Sequence, residues 1–227
     1  MSTSTIMALR PPGGLLACGN LCCATSLSRG PGLPFYDHNA HYSELLLRTV
    51  PPGCQAALDI GCGTGSLARE IASRTGGTVL GLDVDPAIVE GARRATSDPR
   101  VQFAVTDFMS FRPERAFGFV CAVASIHHMP FAVALEKMAA LLEPGGVLAI
   151  LGCYRQAGVV DVAVAGVAVP VNTFYSLRRH SPRSEAAIRQ PEMSLHEIRS
   201  ASRRVLPDAR LQRLLLWRYL LTWTAPG

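Results

Sequence analysis

The chain has 227 residues, enough for one domain with a sizeable core. Apolar residues make up 48% and charged residues 17%, which excludes a disordered chain. The formal net charge is +5, but the arginines are spread out, with one local concentration at Arg178, Arg179, Arg183 and Arg189. A nucleic-acid reader would carry a basic cluster interleaved with aromatics, so no nucleic-acid partner is expected.

Residues 1–34 hold Pro11-Pro12-Gly13-Gly14 and Gly30-Pro31-Gly32 without clear periodicity, and read as a flexible tail ahead of a single domain at 35–227. No continuous apolar stretch follows Arg10, which argues against a secretory leader. No apolar run reaches the roughly 18 to 20 residues that span a bilayer. The longest near-miss, 157–171, is interrupted by Asp161 and Pro170. The seven cysteines include no CxxC pair, so no metal site is expected. Buried free thiols in a cytoplasmic protein are the expectation.

From Phe35 onward strand-like and helix-like segments alternate. Residues 42–50 read as a helix stopped by Pro51-Pro52. Residues 56–60 form a short apolar run that ends in glycines, a buried strand. Leu67 and Ile71 give 66–74 a helical spacing, and 78–82 is the second strand. Asp85-Pro86 supplies an N-cap and a first-turn proline for a helix to Ala95. Residues 101–105 and 117–124 are the third and fourth strands. A helix over 131–142 closes at Pro144-Gly145-Gly146, before a fifth strand at 147–153. Ser194 and Glu197 form a capping box for a helix to about Val205, and 209–223 reads as a hairpin turning near Trp217. Alternating buried strands and helices predict an α/β, Rossmann-like doubly wound sheet.

The strongest local signal is Leu58-Asp59-Ile60-Gly61-Cys62-Gly63-Thr64-Gly65, a strand running into a glycine turn and then a helix. Such a loop with free N–H groups is expected to hold an anionic or polar cofactor group. The third glycine comes one residue too early for the dinucleotide fingerprint, and Ser66 stands where its last glycine would be. Asp59 would repel a pyrophosphate and suits a cofactor carrying an ammonium and a sulfonium. Asp83 ends the second strand, 22 residues after Gly61, where a carboxylate can accept from ribose hydroxyls. Asp107 ends the third strand, placed to accept from an adenine amino group.

These motifs resemble those of the class I S-adenosylmethionine-dependent methyltransferases over about residues 35–154. Ala57 to Gly65 is similar to their first motif, Gly81-Leu82-Asp83-Val84-Asp85-Pro86 to their second, and Thr106-Asp107-Phe108 to their adenine-contacting motif. The resemblance implies S-adenosylmethionine as cofactor and seven strands with an antiparallel last one. It further implies that Asp59 holds the methionine end, Asp83 the ribose, and Val84 and Phe108 the adenine faces. Gly61, Cys62, Gly63, Gly65 and Ser125 complete the expected cofactor set. One departure is Phe117-Gly118-Phe119-Val120, where the family usually carries an acid after the first residue.

His127 and His128 follow the fourth strand, where the acceptor should sit, and either could serve as a general base. Packing against the cofactor shell is the alternative role. Residues 156–192 form a substrate-side insertion whose apolar half suggests a small apolar or aromatic acceptor, methylated on oxygen or nitrogen. A quinone or lipid methyltransferase, a nicotinamide-dependent oxidoreductase and an inactive cofactor-binding protein stay open as alternatives, and the oligomeric state is undetermined.

Overall fold

A computed structural model describes residues 38–157 and 190–227. The expected tail at 1–34 and most of the 156–192 segment, with its apolar stretch and arginine cluster, lie outside the described residues. In chain order the elements are α1 (His38–Leu47), β1 (Ala56–Ile60), α2 (Ser66–Thr75), β2 (Thr78–Asp83), α3 (Pro86–Arg94), β3 (Val101–Val105) and β4 (Phe117–Val123). A 3₁₀ turn (Ile126–His128), α4 (Phe131–Ala140), β5 (Leu142–Cys153), α5 (Leu195–Val205), β6 (Arg210–Leu214) and β7 (Arg218–Thr224) follow. The strands form one seven-stranded sheet in the order β3-β2-β1-β4-β5-β7-β6. β1 to β5 pair in parallel, and β7 inserts antiparallel between β5 and β6. This is the Rossmann-like sheet that the alternating pattern predicts.

The two faces of the sheet sort by the period of two along each strand. Leu58, Ile60, Val120, Ala122, Leu148 and Ile150 pack toward α4 and α5 with Leu135, Met138 and Ile198. Ala57, Phe119, Cys121, Ala149 and Leu151 pack on the other face with Leu46, Ile71 and Val89 of α1, α2 and α3. Both faces are covered, so β1 is buried at every position.

Helix boundaries follow local chemistry. The Asp85 carboxylate accepts from the N–H groups of Ala87 and Ile88 and starts α3, an interaction worth about 1 kcal/mol. The Ser194–Glu197 capping box is reciprocal and starts α5. Tyr42 donates its hydroxyl to the Leu215 carbonyl at 3.1 Å, so α1 is held against the β6–β7 turn. In that turn Leu216 and Trp217 take φ of 58° and 57°, a region L residues avoid. Both side chains are buried, and their packing outweighs the backbone cost.

One boundary departs from expectation. β5 begins at Leu142, and Pro144-Gly145-Gly146 lies inside it. Phe117 pairs with Leu142 and Phe119 with Val147, so a bulge between them takes up the turn residues. Gly118 sits at this bulge, and the Glu143 carboxylate comes to 3.6 Å from where a side chain at 118 would begin. An acid from the neighbouring strand thus lies beside the position where the family usually carries its own.

Among the described residues no helix is long and apolar enough to cross a membrane. Gly152 pairs with Tyr219 across β5 and β7, and a methyl group at 152 would overlap the Tyr219 ring. Gly152→Ala is therefore expected to cost about 1–3 kcal/mol in urea denaturation. Combined with Tyr219→Leu, the total cost should be smaller than the sum of the two single changes, because the overlap is relieved.

Candidate active site

The strand order reverses between β1 and β4, so a crevice opens at the carboxyl ends of the central strands. The chain leaves β1 through Gly61, Gly63 and Gly65, with φ of 73°, 53° and 73°. Only glycine adopts this region without strain. Gly61 N–H and Cys62 N–H both donate to the Leu82 carbonyl, at 2.8 and 2.9 Å. Gly63 N–H donates to Asp83 Oδ2 at 3.0 Å, and Gly65 N–H to the Cys62 carbonyl at 2.9 Å. These four donors are engaged within the protein, whereas no side chain caps the first N–H groups of α2, which begins at Ser66 behind Gly65. The free donors expected of this loop are therefore those of the helix N-terminus.

Packing explains why the outer glycines are required. A side chain at Gly61 would overlap Ser125, and one at Gly65 would overlap the Phe103 ring. At Gly63 nothing lies within 4 Å of the missing side chain, so this glycine faces open space. The Cys62 side chain turns inward, with Sγ 2.9 Å from where a Gly81 side chain would begin. Ser125 donates its hydroxyl to the Ile60 carbonyl at 2.6 Å. Ala124, just before it, takes φ of 50° at the end of β4, and this strained turn delivers Ser125 to its place beneath Gly61.

The three strand-end acids sit in different environments. Asp59 is 1% exposed, between its register neighbours Gly81 on β2 and Cys121 on β4. Cys121 Sγ lies 3.7 Å from Asp59 Oδ1, a weak thiol donor. Oδ2 is buried without a hydrogen-bond partner. Burial pushes the Asp59 carboxyl up to about 7; the Cys121 thiol opposes this and the Asp83 charge adds to it. Asp83 is half-buried, and its Oδ1 accepts from Asp85 N–H at 3.1 Å. Val84 beside it is 66% exposed, an apolar surface on the crevice rim. Asp107 is exposed, and its Oδ1 accepts from Met109 N–H at 2.9 Å. Phe108 is placed differently from the expected adenine face: its side chain is 3% exposed and packs within the core on the α4 and α5 face.

His127 and His128 stand side by side in the 3₁₀ turn, with ring centroids 4.3 Å apart and planes tilted by 38°. They line a cavity of about 300 Å³ with Met129, Phe131, Cys153 and Met193. Ile198 and Tyr219 form more of its apolar wall, and Glu192 supplies a carboxylate. The wall at 192–193 is anchored, because Arg155 donates to the Met193 carbonyl from its backbone and to the Glu192 carbonyl from Nε, both at 2.8 Å. Sequence reading did not find Cys153, Met193 or Tyr219, which come together only when β7 returns beside β5. Among the described residues no group of three or more His, Cys, Asp or Glu side chains is placed to hold a metal ion.

The buried acid makes a pH-dependent prediction. Its folded pKa of about 7 lies above the ordinary 3.8, so the folded state binds a proton that the unfolded state has lost. The Asp59 contribution to stability of the ligand-free protein should fall as pH rises from about 4 to about 7, by up to about 1.4 kcal/mol per unit. Urea titrations at pH 5 and pH 7.5 should show Asp59→Asn gaining on the wild type at the higher pH. An equal difference at both values would remove this assignment.

The comparisons with known proteins agree with this arrangement. A family model described as a methyltransferase domain matches residues 57–146. An uncharacterized methyltransferase of Mycobacterium bovis is 32% identical over 203 residues, covering 84% of this chain and 98% of that protein. A trans-aconitate 2-methyltransferase of Methylobacterium radiotolerans is 40% identical over 110 residues, covering 48% of this chain and 42% of that protein. Among solved structures, a Haemonchus contortus phosphoethanolamine N-methyltransferase in complex with S-adenosylhomocysteine shares the fold. Its TM-score is 0.62 at 16% identity, over 82% of this chain and 53% of that one. With the glycine turn, the strand-end acids and the β7 insertion all in place, the chain belongs to the class I S-adenosylmethionine-dependent methyltransferases.

Proposed function

We propose that this chain binds S-adenosylmethionine across the β1–β4 crevice and transfers its methyl group to a small apolar or aromatic acceptor in the cavity beside His127 and His128. The observation that carries the reading is Asp59, a buried carboxylate with one oxygen lacking a partner, beneath a glycine turn whose donors are engaged internally. Such a site welcomes an ammonium and rejects a phosphate. A nicotinamide dinucleotide would bring its pyrophosphate close to Asp59 and Asp83, which would repel it.

The remaining residues fit the rest of the cofactor. Asp83 is held by two backbone N–H groups at the end of β2, a fixed acceptor for ribose hydroxyls. Val84 offers an exposed apolar face for the adenine ring. Asp107 keeps Oδ2 for the adenine amino group, since Oδ1 is engaged with Met109. The N–H of Phe108 is left for an adenine ring nitrogen, which replaces the expected contact by its side chain.

S-adenosylmethionine, when bound, supplies a methyl carbon activated by the sulfonium. The chain's own contribution is alignment and exclusion of water. The apolar walls of Met129, Phe131, Met193 and Ile198 select an acceptor of about one or two rings. One imidazole of the His127–His128 pair takes the proton when the acceptor is a hydroxyl or an ammonium.

Isothermal titration should detect S-adenosylmethionine and S-adenosylhomocysteine. Asp83→Ala should weaken both by at least about tenfold, the loss expected for hydrogen bonds to a charged acceptor. No binding by the wild type at millimolar ligand would refute the proposal. In a screen of small phenols and amines, release of S-adenosylhomocysteine should report the acceptor. Met193→Trp, which fills the cavity, should cut that release by about tenfold or more while cofactor affinity stays within about twofold. Unchanged turnover would remove the cavity as the acceptor site.

A further inference from the structure

Lys137 lies on α4, away from every motif that marks the cofactor crevice in the sequence, yet its ammonium reaches the turn after β3. Nζ donates to the Phe108 carbonyl at 2.6 Å and to the Met109 carbonyl at 2.8 Å. It also stands 5.0 Å over the Phe108 ring, a cation–π contact. The buried ring and the two carbonyls fix the turn to α4 from below. On its own the turn is closed by Asp107, whose carbonyl accepts from Ser110 N–H and Phe111 N–H at 3.0 and 3.1 Å. Arg112 adds bonds to the Met109 and Phe111 carbonyls at 3.2 and 2.9 Å.

The consequence comes from peptide planarity. The Phe108 carbonyl and the Met109 N–H belong to one rigid plane. Lys137 pulls one end of that plane toward α4, so the other end points at Asp107 Oδ1, to which Met109 N–H donates at 2.9 Å. The orientation of the Asp107 carboxylate is thereby set from a different element of the fold. We infer that Lys137 is the positioning residue that orients Asp107 for reading the purine base of the cofactor, and so determines adenine specificity. The inference rests on the cofactor reading above.

The test compares S-adenosylhomocysteine with its hypoxanthine analogue, which carries a carbonyl in place of the amino group. Wild-type protein should prefer the adenine form by about tenfold or more in Kd, because a carboxylate accepts from an amine and repels a carbonyl. Lys137→Met keeps the length and apolar stem of the side chain but loses the ammonium. It should weaken the adenine ligand by about tenfold and erase most of the preference, while Lys137→Arg restores both. If Lys137→Met does not fold by circular dichroism, Lys137→Gln carries the same comparison, with one amide donor group in place of the ammonium. Wild-type affinity and preference in the Lys137→Met protein would overturn the inference. An equal loss for both ligands would also overturn it, since that is what a purely structural lysine produces. Binding of neither ligand by the wild type refutes the cofactor reading, and this inference with it.

Discussion

The Leu82 carbonyl accepts from both Gly61 and Cys62, and the crevice is organised around that double bond. It ties the exit of β1 to the end of β2, so the glycine turn and Asp83 cannot move independently. Gly63 N–H then closes on the Asp83 carboxylate, and Asp83 also receives Asp85 N–H just before the α3 cap. The arrangement needs empty space at Gly61, Gly65 and Gly81, because Ser125 and Phe103 occupy what side chains would fill. Residues of β2 and β3 and Ser125 after β4 thus converge on one turn through contacts that side chains at Gly61 and Gly65 would block.

Electrostatics follow from the same placement. A carboxylate one residue before the end of β1, between Gly81 and Cys121, is removed from water and given one weak donor. An unpaired buried charge is costly, so burial raises the Asp59 carboxyl to about 7. Asp83 and Asp107 have backbone donors and sit at the rim, so they are ready acceptors without that cost.

Much of the fold was legible because parallel strands buried on both faces read as continuous apolar runs, as in 117–123 and 147–153. The caps at Asp85 and Ser194 were legible because they depend on contacts within three residues. The bulge at 142–147 was not, since the same Pro-Gly-Gly that marks a turn can be absorbed when β4 supplies a pairing partner. Phe108 read as a crevice residue from its motif, but α4 packs over it and withdraws its ring into the core. The engagement of the Gly61, Cys62 and Gly63 N–H groups was equally hidden, because their acceptors lie 20 or more residues away in sequence on β2.

The sequence by itself determined the element order, the glycine turn and the three acids at strand ends, because spacing along one strand-turn-helix unit dictates them. It also placed His127 and His128 after β4. Only the tertiary structure decided which donors stay free, how far the acids are buried and what the histidines face. These are long-range quantities. The cavity exists because antiparallel β7 brings Tyr219 beside Cys153 and Arg155 anchors residues 192–193 opposite the histidines. The bonds of Lys137 likewise depend on α4 reaching the turn after β3, a contact between residues 28 and 29 apart that no local pattern records.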